Sequence, residues 1–127
     1  MLEVVAAYLF TALTAVVVLF QLALMFGAPW GELAMGGRFP GQLPAPMRVA
    51  ALIQALVLSL LAVVVLIHSG QMFAGQYAWA GTGAWVVVGI YSLSLLMNLL
   101  TPSRWERIVW APVGAACLAC ALLVALS

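Results

Sequence analysis

The chain has 127 residues, of which 68% are hydrophobic and only 6% charged, with a net charge of +1 and no lysine or aspartate. Soluble globular domains carry about 25% charged residues, and a fold this small leaves about a third of its chain surface exposed, so a water-soluble domain is excluded. The chain has no linker, low-complexity tract or charge run, and it reads as a single membrane domain over residues 1–127.

A bilayer core of about 30 Å needs roughly 20 apolar residues at 1.5 Å rise each. Four segments reach that length, approximately 2–26, 47–68, 78–100 and 108–126. They predict an all-α membrane protein, a four-transmembrane-helix bundle. The first segment differs from a signal peptide: it lacks a positive n-region, carries Glu3, and its apolar stretch runs past the 7 to 15 residues of an h-region. It reads as a retained helix.

The connection from Gly27 to Pro46 is rich in glycine and proline, which punctuate helices and fix turns. Gly27 suits the C′ position of the first helix, and Pro46 the first turn of the second. A loop of about twenty residues is long for a compact bundle. Its Trp30, Met35 and Phe39 predict a packed, structured loop. The second connection lies around Gly70 to Tyr77. In the third, Thr101-Pro102 stops the third helix, and Ser103-Arg-Trp-Glu106 matches the capping box that opens a helix. Pro112 removes one backbone donor from the fourth helix and predicts a bend near Ile108.

All four arginines, Arg38, Arg48, Arg104 and Arg107, fall in connections one and three. By the positive-inside rule these two connections are cytoplasmic, and both termini and connection two face outward. Trp30, Trp105 and Trp110 then mark the cytoplasmic boundary and Tyr8, Tyr77 and Trp79 the outer one, with Trp85 and Tyr91 deeper.

Amide side chains inside a span usually point into the bundle or a wet cavity. Gln21, Gln54 and Asn98 all fall within roughly 3 to 11 Å of the cytoplasmic boundary at 1.5 Å per residue, and predict one polar layer beneath the arginine-bearing loops. Arg48, Arg104 and Arg107 occupy the first turns of helices two and four, where the macrodipole costs a cation about 0.3 to 1 kcal/mol. Glu32, Glu106, anionic lipid headgroups or a bound anion could compensate. The candidate ligand-binding residues are therefore Trp30, Glu32, Arg38, Arg48, Gln54, Asn98, Arg104 and Arg107. Two plainer readings stay open. The amides can simply bond neighbouring helices, at about 0.6 kcal/mol each, and the arginines can serve as topology signals paired with lipid and glutamate.

Other chemistry is poorly supported. Cys117 and Cys120 lie three apart on one helical face, and Gly114, Ala115, Ala116 and Ala119 make the same helix smooth, which fits helix packing and not redox work. His68 is the only histidine and has no companion ligands for a metal or haem. The absence of lysine removes Schiff-base cofactors. No catalytic residue, metal or cofactor is assigned.

The string Gly27-x-Pro29-Trp30-Gly31-Glu32, Gly36-Gly37, Pro40-Gly41-x-Leu43-Pro44 and Arg48, with Asn98, Ser103-x-x-Glu106-Arg107 and Pro112-Val113 downstream, resembles a group of small, uncharacterised four-span bacterial integral membrane proteins. The resemblance covers most of the chain. It implies the four-span architecture and a bacterial inner (plasma) membrane, and no activity. Three functions compete on the sequence. The first is a non-enzymatic protein that binds or transports an anionic or amphiphilic small molecule at the cytoplasmic face. The second is an accessory or assembly subunit that contacts itself or a larger complex through smooth faces such as that of Gly114 to Cys120. The third is an enzyme acting on lipid headgroups or prenyl phosphates, with Glu32 as acid or base beside Arg38 or Arg48.

Overall fold

The computed structural model of the protein describes residues 1–73 and 77–127; of the second connection, residues 74–76 lie outside the described residues. Four helices, α1 (Leu2–Met25), α2 (Ala45–His68), α3 (Ala80–Leu100) and α4 (Arg104–Ala125), are joined in the first connection by two single 3-10 turns, Gly31–Leu33 and Met35–Gly37. All four helices are long and apolar enough to cross a membrane.

The helix ends follow from local chemistry. Gly27 (φ 102°) and Gly70 (φ 86°) take the left-handed conformation that glycine adopts without a Cβ penalty. Each closes its helix with a Schellman pair: Ala28 N–H to Ala23 O (2.9 Å) with Gly27 N–H to Leu24 O (3.1 Å), and Gln71 N–H to Leu66 O (3.0 Å) with Gly70 N–H to Ile67 O (3.1 Å). Pro46 lies in the first turn of α2. α4 starts at residue 104, ahead of the apolar run expected from 108, because Ser103 Oγ accepts the Glu106 N–H at 3.2 Å. It continues as one helix through Pro112.

Each helix packs on the next around the bundle, and α1 closes the ring against α4. Tyr8 of α1 donates to Gln71 Oε1 at 3.1 Å, beyond the end of α2, and both termini line one depression. Connections one and three meet at the opposite end, where Ser103 Oγ donates to Glu32 O at 2.7 Å. The bundle therefore has a terminal end and a loop end.

Two apolar clusters hold it together. The larger, in the terminal half, centres on Phe10, Val65, Val87, Cys117 and Val124. Tyr91 meets Phe10 edge to face at 5.1 Å and shares a 2.9 Å hydrogen bond with Thr14, so its hydroxyl is satisfied inside the apolar core. Cys117, Cys120 and Ala121 are buried here and Gly114 is buried nearer the loop end, while Ala115 and Ala119 on the other side of α4 are exposed. The smaller cluster, Leu24, Ala34, Leu43 and Ala51 with Met35 and Phe39 packed against it, fastens the first connection to α1 and α2. Large apolar side chains such as Leu19, Leu56, Leu60 and Leu100 point outward, an arrangement that water penalises and lipid accepts.

The contact between α2 and α3 is uneven. Near the terminal end the helices touch so closely that a Cβ on Gly83 would lie 2.8 Å from Val64 Cγ1. Toward the loop end they separate, and a cavity occupies the gap between them.

Candidate functional site

The first connection forms the roof of this cavity. Its Gly31 N–H donates to Gly41 O at 2.9 Å, closing the loop on itself. A side chain at Gly31 would run into the Phe39 carbonyl oxygen, so the close approach requires glycine. Met35, Gly36 and Gly37 follow one another with φ of 53°, 71° and 73°, a left-handed run that only glycine-rich sequence accommodates.

Three side chains of connection three and α4 hold the roof down. Ser103 Oγ donates to Glu32 O (2.7 Å), Trp110 Nε1 donates to Leu33 O (2.8 Å), and Glu106 Oε2 accepts the Gly36 N–H (2.9 Å). The capping box is only half made. The Ser103 N–H goes to Thr101 Oγ1 at 3.2 Å, which leaves the Glu106 carboxylate for the roof.

Beneath the roof the cavity has a volume of about 750 Å³, within the range of about 300 to 1,000 Å³ found for small-molecule sites. Polar groups gather at its loop end, where Gln21, Arg38, Gln54, Asn98 and Glu106 form the wall. Ile53, Val57, Ile90, Leu93 and Met97, with Ser94 among them, line the sides, and Tyr91 with Leu61 the floor. Those five side-wall residues are also exposed on the bundle surface, so the cavity opens sideways between α2 and α3. Gln21 Oε1 is buried and has no hydrogen-bond partner among the described residues, a state that costs roughly 1 to 3 kcal/mol.

Among the eight candidate residues, the structure brings Arg38, Gln54 and Asn98 together in this wall, with Gln21 of the same amide layer. The other five lie outside it. Trp30 stacks on Phe20 at 6.2 Å, nearly parallel. Glu32 is exposed and joins the site only through its backbone carbonyl. Arg48 Nε donates to Leu43 O at 2.9 Å and Arg107 Nη1 to Thr101 O at 3.3 Å, while Arg104 is exposed in the first turn of α4. Two of the three arginines at helix N-termini thus turn back to carbonyl oxygens of the preceding segment. Thr101 is the C-cap of α3, the end of a helix dipole that favours a cation.

Sequence reasoning misses three contributors to the site. Glu106 reads locally as a cap and Trp110 as an interfacial aromatic, yet each bonds to the roof about seventy positions upstream. Tyr91 reads as a deep aromatic and is the floor. The paired glycines at 36 and 37 are the one local sign that a tight approach occurs there: a Cβ on Gly37 would sit 3.0 Å from Ser103 Cβ.

Chemically the site is suited to holding an amphiphile. Of the ionisable groups in its described wall, Tyr91 is engaged by Thr14 and Glu106 by Gly36, while Arg38 makes no hydrogen bond to the described residues. Comparison of the chain with protein-family models, curated proteins and solved structures gives no match.

Proposed function

We propose that the protein binds an amphiphile drawn from the cytoplasmic leaflet of the bacterial inner membrane, and passes it between bilayer and site without chemical conversion. The headgroup lies under the first connection beside Arg38, Gln54 and Asn98, and the hydrocarbon fills the cleft between α2 and α3. Connections one and three face the cytoplasm in this reading, and both termini face outward. The distribution of the four arginines supports that orientation, and the exposed Arg104 is placed to meet anionic headgroups at the surface.

One observation carries the reading: the cavity combines polar side chains beneath the first connection with aliphatic side walls, and it opens between two helices whose outer residues are apolar. A water-soluble ligand would use a mouth in the aqueous phase, whereas this opening delivers and receives from the bilayer.

Native mass spectrometry of the protein in detergent and in lipid nanodiscs tests the proposal. Ser94 lines the cavity from α3. A stoichiometric amphiphile should be retained by the wild type and lost from Ser94→Trp, which fills the cleft. An equal, unspecific spread of adducts on both proteins would end the proposal.

A further inference from the structure

The side of α4 that faces away from the cavity carries two of the four arginines within a single turn. Arg104 and Arg107 are exposed there, and so are Trp105 and Ile108, at 58% and 50%. At 3.6 residues per turn, Arg107, Arg104, Ile108 and Trp105 follow one another around one arc, and Glu106 falls on the opposite side. Burial agrees: Glu106 is 9% exposed and its Oε2 accepts the Gly36 N–H. The only acid of this turn is thus withdrawn from the arc. The two guanidinium groups, three positions apart and therefore neighbours on the helix surface, face outward without it. Arg107 gives one N–H to Thr101 O, which draws its head back toward Arg104 and leaves further N–H groups of its fork to donate.

Below the charges the same face is smooth. Its exposed positions run Ile108, Pro112, Ala115, Ala119, Leu122 and Leu126, spacings of four and three that keep them on one line along the helix. The short side chains from Pro112 to Ala119 bring the helix backbone close to the surface over about 10 Å, room in which an acyl chain can lie flat. The cavity is served by the other side of α4, through Glu106, Trp110, Val113 and Gly114.

Charge decides what covers this face. A second copy of the chain, related by a two-fold axis along the membrane normal, would set the same arginines against each other. A choline headgroup brings a cation of its own beside the pair. A phospholipid with net negative charge meets both guanidinium groups with its phosphate and the smooth strip with its hydrocarbon. We infer that the outward face of α4 holds an anionic phospholipid, its phosphate on Arg104 and Arg107 and one acyl chain along Pro112, Ala115 and Ala119.

The test uses the full-length protein in nanodiscs containing a phospholipid with a glycerol headgroup and a photoreactive diazirine in one acyl chain, or the same chains on a choline headgroup. After irradiation, peptide mass spectrometry reads which residues carry the label. With the glycerol headgroup, label on Pro112, Ala115 and Ala119 should exceed that from the choline form about tenfold or more, the discrimination expected of two arginines at a membrane surface. Arg104→Gln should lower the ratio about fivefold, the share of one arginine. Ser94→Trp, which fills the cavity, should leave label at these three positions unchanged, so failure of the cavity reading and failure of this site are seen separately. Equal labelling by the two headgroups, or label spread evenly over the exposed positions of all four helices, overturns the inference. A dimer in native mass spectrometry that shields the three positions from both probes overturns it as well. The comparison of headgroups is made on the wild type, so misfolding of a variant does not protect the inference.

Discussion

The carboxylate of Glu106 accepts the backbone N–H of Gly36 at 2.9 Å across seventy positions of sequence. It joins the first turn of α4 to the middle of a left-handed loop, and the loop roofs a cavity to which Glu106 itself contributes. A hydrogen bond to a charged acceptor contributes about 1.5 to 3 kcal/mol, enough to decide whether a short loop stays closed.

Replacing Glu106 with Ala should therefore release the roof. Hydrogen exchange of residues 31–39 is expected to quicken by one to two orders of magnitude, the change that about 1.5 to 3 kcal/mol implies, while exchange in the terminal half, around Phe10 and Val65, stays as it was. Glu106→Gln keeps a neutral acceptor and should fall between the two. Unchanged exchange of the loop in Glu106→Ala would mean that Ser103 and Trp110 hold the roof unaided.

The loop glycines should separate sharply. Gly31→Ala places a methyl against the Phe39 carbonyl and is expected to cost about 3 kcal/mol, the upper end for overpacking. At Gly41, with φ of 78° and nothing within 4 Å of where a methyl would stand, alanine bears only the left-handed backbone penalty of about 1 kcal/mol. Unfolding midpoints in a denaturing-detergent titration should rank wild type, Gly41→Ala and Gly31→Ala in that order. An equal effect at the two positions would show that the Phe39 carbonyl yields to the added methyl at little cost.

Orientation can be read by thiol labelling, because the native Cys117 and Cys120 are buried, at 0% and 6% exposure, and should not react. In spheroplasts treated with a membrane-impermeant maleimide, Ser127→Cys should label at once and Gln42→Cys only after lysis. The opposite pattern would invert the protein in the membrane and place the roof outside.

The spans are legible in the sequence because a bilayer demands length and apolarity, properties that each segment carries alone. Their ends are legible where one residue type dictates them, as at Gly27, Pro46 and Ser103. The amide layer is also accessible: the rise per residue places Gln21, Gln54 and Asn98 in the loop-end half of their helices, and all three line the cavity. The arginine pairings are not. Arg48 and Arg107 turn to Leu43 O and Thr101 O, choices that depend on where the preceding chain runs. Nor does any spacing rule connect Gly36 to Glu106 or Leu33 to Trp110, because such partners are set by how two hairpins meet, a relation absent from either hairpin's own sequence.

The hold of α4 on the first connection also sets an order of assembly. A ribosome completes residues 31–39 long before residues 103–110, so the Gly36 amide and the Leu33 carbonyl wait for partners until the fourth helix is made. The first hairpin can enter the membrane and pack Leu24 against Leu43 and Ala51 on its own, but the chamber stays unroofed until the last quarter of the chain arrives. A chain cut short after α3 would keep the cavity between α2 and α3 open, because the three side chains that hold its roof would be missing.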